Sequence, residues 1–278
     1  MTLLSSIILG LIQGIAEFLP ISSSGHLSVF QNFLNMSTAE DGHMFFDVLL
    51  HLGTLISVCV VYRRDIIAII RDTVSCIKSI GHPVPGGPKR YPGARLLVMM
   101  VIATLPLFII LPVHGYIEKL YYNTMFIGIA FLVTGAILFL SDRMASGKCT
   151  EKNMSVGSAV VIGIAQALAT VPGLSRSGAT ISAGMAMGLD REFAAKFSFL
   201  ISIPAILGAN LLSLIKAIGG GVDFSLMPVY LAGMAVAMVS GYFAVSLVRL
   251  ICKKGKFGRF AYYCWFAGAV TIILTIVL

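Results

Sequence analysis

Charge is what this chain has least of. Only 12% of its 278 residues are Asp, Glu, Lys or Arg, against 58% hydrophobic residues and a mean hydropathy of +0.94. That balance does not suit a water-soluble globule of this length and indicates an integral membrane protein. Cysteine is sparse as well. Cys59, Cys76, Cys149, Cys252 and Cys264 are scattered, with no C-x-x-C pair and no metal-ligand spacing, so nothing suggests a disulfide framework or a zinc site. Small buried or lipid-facing hydrophobes is the ordinary role for such residues. A basic leader is missing too: no Lys or Arg precedes the first apolar stretch and no cleavage pattern follows, so Met1 to Phe18 is expected to be retained. The net charge of +8 is not gathered on one amphipathic face but in short connections, and no nucleic-acid partner is expected.

What is abundant is long apolar sequence. Spans of about 20 apolar residues are expected at Phe45–Tyr62, Leu96–Pro112, Thr124–Leu140, Phe193–Ile218, Met227–Leu250 and Phe260–Leu278, which makes six crossings. Fifteen of the twenty Lys and Arg lie in three stretches, seven from Arg63 to Arg95, three from Arg143 to Lys152 and five from Arg249 to Arg259. These stretches should be cytoplasmic. The parity of the crossings then leaves two segments that must enter and leave on one side. Met154–Gly188 reads as a helical hairpin from the inner face, because Pro172 and Gly173 cannot continue a helix undistorted. Met1–Asn35 reads as its counterpart from the outer face.

The two hairpins carry the same phrase. Gln13 to Gly25 reads Q-G-I-A-E-F-L-P-I-S-S-S-G and Gln166 to Gly178 reads Q-A-L-A-T-V-P-G-L-S-R-S-G, with each Gln, first Ser, third Ser and Gly offset by 153 positions. A weaker echo follows in F-D-V-L-L-H-L-G-T-L-I and F-S-F-L-I-S-I-P-A-I-L. Matching interruptions in two halves point to an inverted repeat, about 1–62 and 154–218, whose tips meet near the bilayer midplane. The expected fold is therefore all-α and membrane-integral, with about six transmembrane helices plus two re-entrant helical hairpins in one domain. Gly, Ser and Pro also serve as helix-packing patches in membranes, but packing alone explains neither Glu17 nor Arg176.

Gln13 and Glu17 stand at i and i+4, on one helix face a turn before Pro20. Ser22, Ser23, Ser24, Gly25 and His26 follow, and a second helix starting after Gly25 would aim serine hydroxyls and free N–H groups at a cavity, an anion site. The second tip adds Ser175, Arg176, Ser177 and Thr180, and the arginine fork suits phosphate. A charge at mid-membrane costs at least ~2.5 kcal/mol on insertion scales, so Glu17 and Arg176 are expected to be paired and used. Glu17 as a structural hydrogen-bond hub is the plainer alternative. His26, beside Ser and Glu, fits general acid/base work, whereas Asp47 and His51, also i and i+4, fit a supporting role.

The remaining polar residues say less. His43, His82 and His114 are expected in loops or at span ends, and Glu118 and Lys119 in a short outer loop. Asp65–Ile80 alternates basic and aliphatic residues and suits the inner lipid surface, and Gly81 to Pro92 reads as a linker. Small residues from Ala232 to Ser240 suit packing against a helix of this chain or of a second copy.

These residues resemble the undecaprenyl-diphosphate phosphatase family, also called bacitracin-resistance proteins. Gln13 to Glu17 is similar to its (E/Q)-x-x-x-E motif, and Pro172-Gly173-Leu174-Ser175-Arg176-Ser177-Gly178-Ala179-Thr180 matches P-G-x-S-R-S-x-x-T at every fixed position. Phe18 to His26 fits as well, and the resemblance extends over essentially the whole chain. Many relatives have a carboxylate where Gln13 stands, which weakens a metal-binding role there. The resemblance implies hydrolysis of a polyprenyl diphosphate to the monophosphate and inorganic phosphate, which recycles the carrier lipid of cell-wall precursors and confers bacitracin tolerance. It further implies a divalent cation, Mg2+ or Ca2+, and an active site on the outer side of the bacterial inner membrane.

On this reading Arg176, tip N–H groups and a cation at Glu17 neutralise the diphosphate. Ser23 would attack the terminal phosphorus, with Glu17 or His26 taking the proton; His26 or a metal-activated water as nucleophile would use nearly the same residues. Inverted repeats with broken helices are also typical of secondary transporters, so a lipid-phosphate flippase or anion transporter is the rival. The sequence leaves the oligomeric state open, a homodimer included.

Overall fold

The structure, a computed structural model, describes residues 1–33, 44–79, 91–220 and 224–277. His43, His82 and nearly all of the expected 81–92 linker lie outside the described residues, as does the side chain of His114. Apart from one isolated bridge between Cys149 and Leu189, the regular structure among the described residues is helical.

The chain runs through α1 (Leu3–Phe18), α2 (Ser23–Phe33), α3 (Met44–Val61), α4 (Arg63–Lys78), α5 (Pro92–Thr104), α6 (His114–Leu120), α7 (Thr124–Asp142), α8 (Val156–Leu168), α9 (Arg176–Ala186), α10 (Arg191–Gly220), α11 (Met227–Lys253) and α12 (Arg259–Val277). Short 3-10 turns at Leu105–Ile109 and Leu111–Val113 extend α5. Caps mark several starts, since a side-chain oxygen can accept an otherwise unpaired N–H of the first turn. Thr2 accepts from Ser5 N at 3.1 Å, Asn123 from Phe126 N at 3.0 Å and Ser155 from Ser158 N at 3.0 Å.

Among the described residues five stretches are long and apolar enough to cross a membrane: Pro92–Val113, Thr124–Asp142, Arg191–Ile215, Phe224–Lys253 and Arg259–Val277. The sixth expected crossing is α3, which meets α4 at a bend of 77°. Helix α4 turns Ile67, Ile70, Val74 and Ile77 outward along one stripe, with Arg63, Arg64 and Arg71 also exposed. A basic amphipathic helix turned sharply off a span suits the plane of the lipid interface. The chain is thus a multi-pass membrane protein.

The hairpin arms are shorter than the spans. Helices α1 and α2 have 16 and 11 residues, α8 and α9 have 13 and 11. At 1.5 Å per residue none exceeds about 24 Å, less than a hydrocarbon core of ~30 Å. Their outer neighbours are exchanged between halves: α1 packs along α11, and α8 along α5. The contacts are made by residues at equivalent positions. A β-carbon on Gly10 would lie 2.4 Å from the Gly233 carbonyl oxygen, and one on Gly163, 153 positions later, 2.6 Å from that of Ala103. Backbones approach this closely only through small residues. Gly233, Ala237 and Gly241 are buried along α11, which packs on α1 and α3, so these small residues pack helices of the same chain.

Two local readings change. Glu118 and Lys119 sit in helix α6 rather than in a loop, because the chain makes a further helical turn before Asn123 caps α7. Helix α2 starts at Ser23, not after Gly25. Ser22 adopts φ 69°, a left-handed conformation that turns the chain directly after the Pro20 break.

Candidate active site

The two tips touch. A β-carbon on Gly25 would sit 2.9 Å from Gly173 Cα and 2.8 Å from the Phe131 ring, so glycine is required there for close approach. Gly173 itself has φ +88°. Across the junction the Ser177 hydroxyl donates to the Leu19 carbonyl at 3.2 Å.

Each tip is built by the same cap. Gly25 N–H donates to Ser22 Oγ at 3.3 Å, and Gly178 N–H to Ser175 Oγ at 3.1 Å. In both, the cap hydroxyl also meets the serine two residues on, Ser22 with Ser24 at 3.3 Å and Ser175 with Ser177 at 3.2 Å. The hydroxyls of Ser22, Ser175 and Ser177 are therefore engaged in building and joining the tips. Thr180 holds the turn beneath Arg176, donating to the Arg176 carbonyl at 2.8 Å and meeting Ser198 Oγ at 2.6 Å.

Glu17 is the centre of the cluster. Its Oε1 accepts from Arg176 Nη2 at 2.7 Å; its Oε2 accepts from Ser23 Oγ at 2.7 Å and from Gln13 Nε2 at 3.1 Å. The side chains are 7% and 19% exposed for Glu17 and Arg176. Such an ion pair is screened far less than one in water and, once either partner is removed, leaves an uncompensated charge. The first half supplies the acid and hydroxyl, the second the guanidinium, 159 positions apart.

The two histidines are arranged otherwise than their sequence positions suggest. His51 faces the carboxylate, Nε2 standing 4.0 Å from Glu17 Oε2, while its Nδ1 bonds the Asp47 carbonyl at 2.8 Å. His26 has both ring nitrogens engaged elsewhere, Nδ1 with the Ser22 carbonyl at 2.7 Å and Nε2 with Tyr263 Oη at 2.8 Å. Asp47 Oδ1 is buried without a hydrogen-bond partner.

Three residues of the site give no signal in the sequence because they belong to neither repeated phrase. Thr134 Oγ1 donates to the Gly173 carbonyl at 3.0 Å and accepts from Ser175 N at 3.2 Å, tying α7 to the second tip. Tyr121 stands next to Ser24, and its own carbonyl accepts from Asn32 Nδ2 at 3.1 Å. Burial pushes the Tyr121 phenol above its ordinary range, opposed in part by the nearby Ser24 hydroxyl, so it stays protonated at neutral pH. Tyr263, on α12, is the third.

Among the described residues no three His, Cys, Asp or Glu side chains converge on a point. Oxygen donors at the cluster include the Glu17 carboxylate and Gln13 Oε1, which is buried with no hydrogen-bond partner. A set this small fits a hard cation that keeps water and takes substrate phosphate oxygens, rather than an ion caged by protein alone.

Sequence comparison agrees with this architecture. Residues 6–270 match the family model described as bacitracin resistance protein BacA. The chain is 41% identical to an undecaprenyl-diphosphatase of Methanosphaera stadtmanae, the alignment covering 99% of each. It is 42% identical to one of Methanobrevibacter smithii, covering 98% of each, and 39% identical to one of Carboxydothermus hydrogenoformans, covering 97% of this chain and 96% of the other. A buried acid, hydroxyl and guanidinium joined across two hairpins and a match over nearly the whole length lead to one conclusion: this chain belongs to the bacitracin resistance protein BacA family.

Proposed function

We propose that this protein dephosphorylates undecaprenyl diphosphate, releasing the monophosphate and inorganic phosphate and thereby conferring bacitracin tolerance. The observation that carries the reading is Glu17 bonded at 2.7 Å to both Arg176 Nη2 and Ser23 Oγ. This is a nucleophile, a proton acceptor and a phosphate-binding cation in one buried cluster.

Ser23 Oγ attacks the terminal phosphorus, and its proton passes to Glu17 Oε2, already its acceptor. The bond from phosphorus to the bridging oxygen breaks, and the lipid monophosphate leaves. Water then cleaves the phosphoserine and frees phosphate. Arg176 spends one of its five N–H donors on Glu17; the others suit the equatorial oxygens of the transferring group. Glu17 with Gln13 Oε1 would hold Mg2+ or Ca2+, and such an ion when bound would offset charge on the diphosphate. His51 fits a supporting part at Glu17, and Asp47, through its carbonyl, fits that of orienting His51.

The cytoplasmic membrane, with the site opening outward, is the location that fits. Tyr121, next to Ser24, belongs to the connection between α5 and α7, opposite the basic stretches. An inverted relation of the hairpins is supported by the exchanged packing of α1 on α11 and α8 on α5.

Purified protein with undecaprenyl diphosphate, with and without chelator, tests the reading. Phosphate release that stops on Glu17→Ala or Arg176→Ala supports it. Binding without release would sink it and favour lipid transport.

A further inference from the structure

His26 and Tyr263 form a connection that the phosphate-gripping cluster does not use. Their rings stack with centroids 5.7 Å apart at an interplanar angle of 13°, and His26 also lies against Phe131, centroids 4.9 Å apart. The hydrogen bonds fix a tautomer. A carbonyl oxygen only accepts, so the 2.7 Å contact with Ser22 O places a proton on His26 Nδ1. In the neutral ring Nε2 then holds a lone pair, which the Tyr263 O–H, at 2.8 Å, is placed to satisfy.

The Ser22 carbonyl also accepts from the His26 backbone N–H at 3.2 Å. Ser22 is the non-glycine residue at φ 69°, and an L-residue kept there needs its surroundings to hold it. Next to Tyr263, Cys264 Sγ donates to the Pro20 carbonyl at 3.6 Å. Helix α12 thus braces both sides of the strained turn that presents Ser23 to Glu17.

We propose that Tyr263 is a positioning residue for the first tip: by bonding His26 Nε2 it fixes that ring on the Ser22 carbonyl, and so holds the left-handed turn that aims Ser23. The proposal rests on the phosphatase reading for its kinetic consequence only. The binding groups, Arg176 and Glu17, do not touch Tyr263, so its loss falls on the chemical step rather than on substrate capture.

The experiment has two arms. In 15N-histidine spectra of the wild-type protein, His26 should show a protonated Nδ1 and an unprotonated, hydrogen-bonded Nε2, and Tyr263→Phe should shift the Nε2 resonance toward that of a free imidazole nitrogen. In the release assay, Tyr263→Phe should lower kcat about tenfold, in line with small misplacement of a reacting group, with KM within about twofold of wild type and Tyr262→Phe unchanged. A His26 protonated at Nε2 alone in the wild type overturns the proposal whatever the variant does. So does a Tyr263→Phe enzyme with unaltered kcat, or one in which KM rises and kcat holds. A wild-type protein that releases no phosphate would instead fail the functional reading, while the spectra would still decide whether the Tyr263–His26–Ser22 connection exists.

Discussion

At the scale of single residues, the site depends on Glu17 satisfying three donors at once. Gln13, Ser23 and Arg176 all converge on its two oxygens, so each substitution there has a different signature. Arg176→Ala leaves a carboxylate only 7% exposed without its counter-ion. Phosphate release should fall by at least about 100-fold, the scale of losing one preorganised donor to a developing charge, and the melting temperature should drop as well. Ser23→Ala removes one donor but leaves the ion pair. Release should collapse with little change in melting temperature, and single-turnover labelling that marks Ser23 in the wild type should mark nothing in the variant. An unlabelled wild-type enzyme that still turns over would instead assign the attack to water. Much of this was legible beforehand, because Glu17, Arg176 and the serines are polar residues in apolar sequence, where each must have a partner. The place of the His26 ring is not legible in the sequence for a physical reason: nearness along the chain puts it beside Ser and Glu, but in the structure Phe131 and Tyr263 flank its ring. No periodicity reports a contact 237 positions away.

At the scale of elements, the hairpins are held by close backbone contact where glycine is required. Gly10→Val meets the Gly233 carbonyl and Gly163→Val the Ala103 carbonyl, each well inside contact distance. Each should destabilise the protein by about 1–3 kcal/mol, as overpacking does, read as a fall in thermal stability in one detergent. Gly208→Ala is the control: a β-carbon there meets nothing within 4 Å, so stability should stay within about 0.5 kcal/mol. The elements themselves were the most readable part of the chain. All six expected crossings have helices at their places, because long apolar runs between basic connections leave little freedom. The 3-10 turns after Thr104 and helix α6 were not foreseen. Pro106 and Pro112 explain the first, since neither can donate to a continuing helix.

At the scale of the whole molecule, the phrase repeated at 153 positions becomes one polar cluster rather than two, with the first half giving the acid and hydroxyl and the second the guanidinium. The distribution of basic residues predicts the sidedness. Lys254→Cys should react with an impermeant maleimide only from the cytoplasmic face, and Tyr122→Cys only from the outer face, above the labelling of the native thiols. The same face for both would undo the arrangement of spans. The most direct measurement is a double-mutant cycle on phosphate release across the two halves, using Glu17→Gln, Arg176→Lys and the double variant. Groups gripping one headgroup as a unit should be strongly non-additive, the double variant losing little more than the worse single one, a coupling above about 1 kcal/mol. Losses that simply multiply would mean that Glu17 and Arg176 act independently, and would contradict a shared site between the tips.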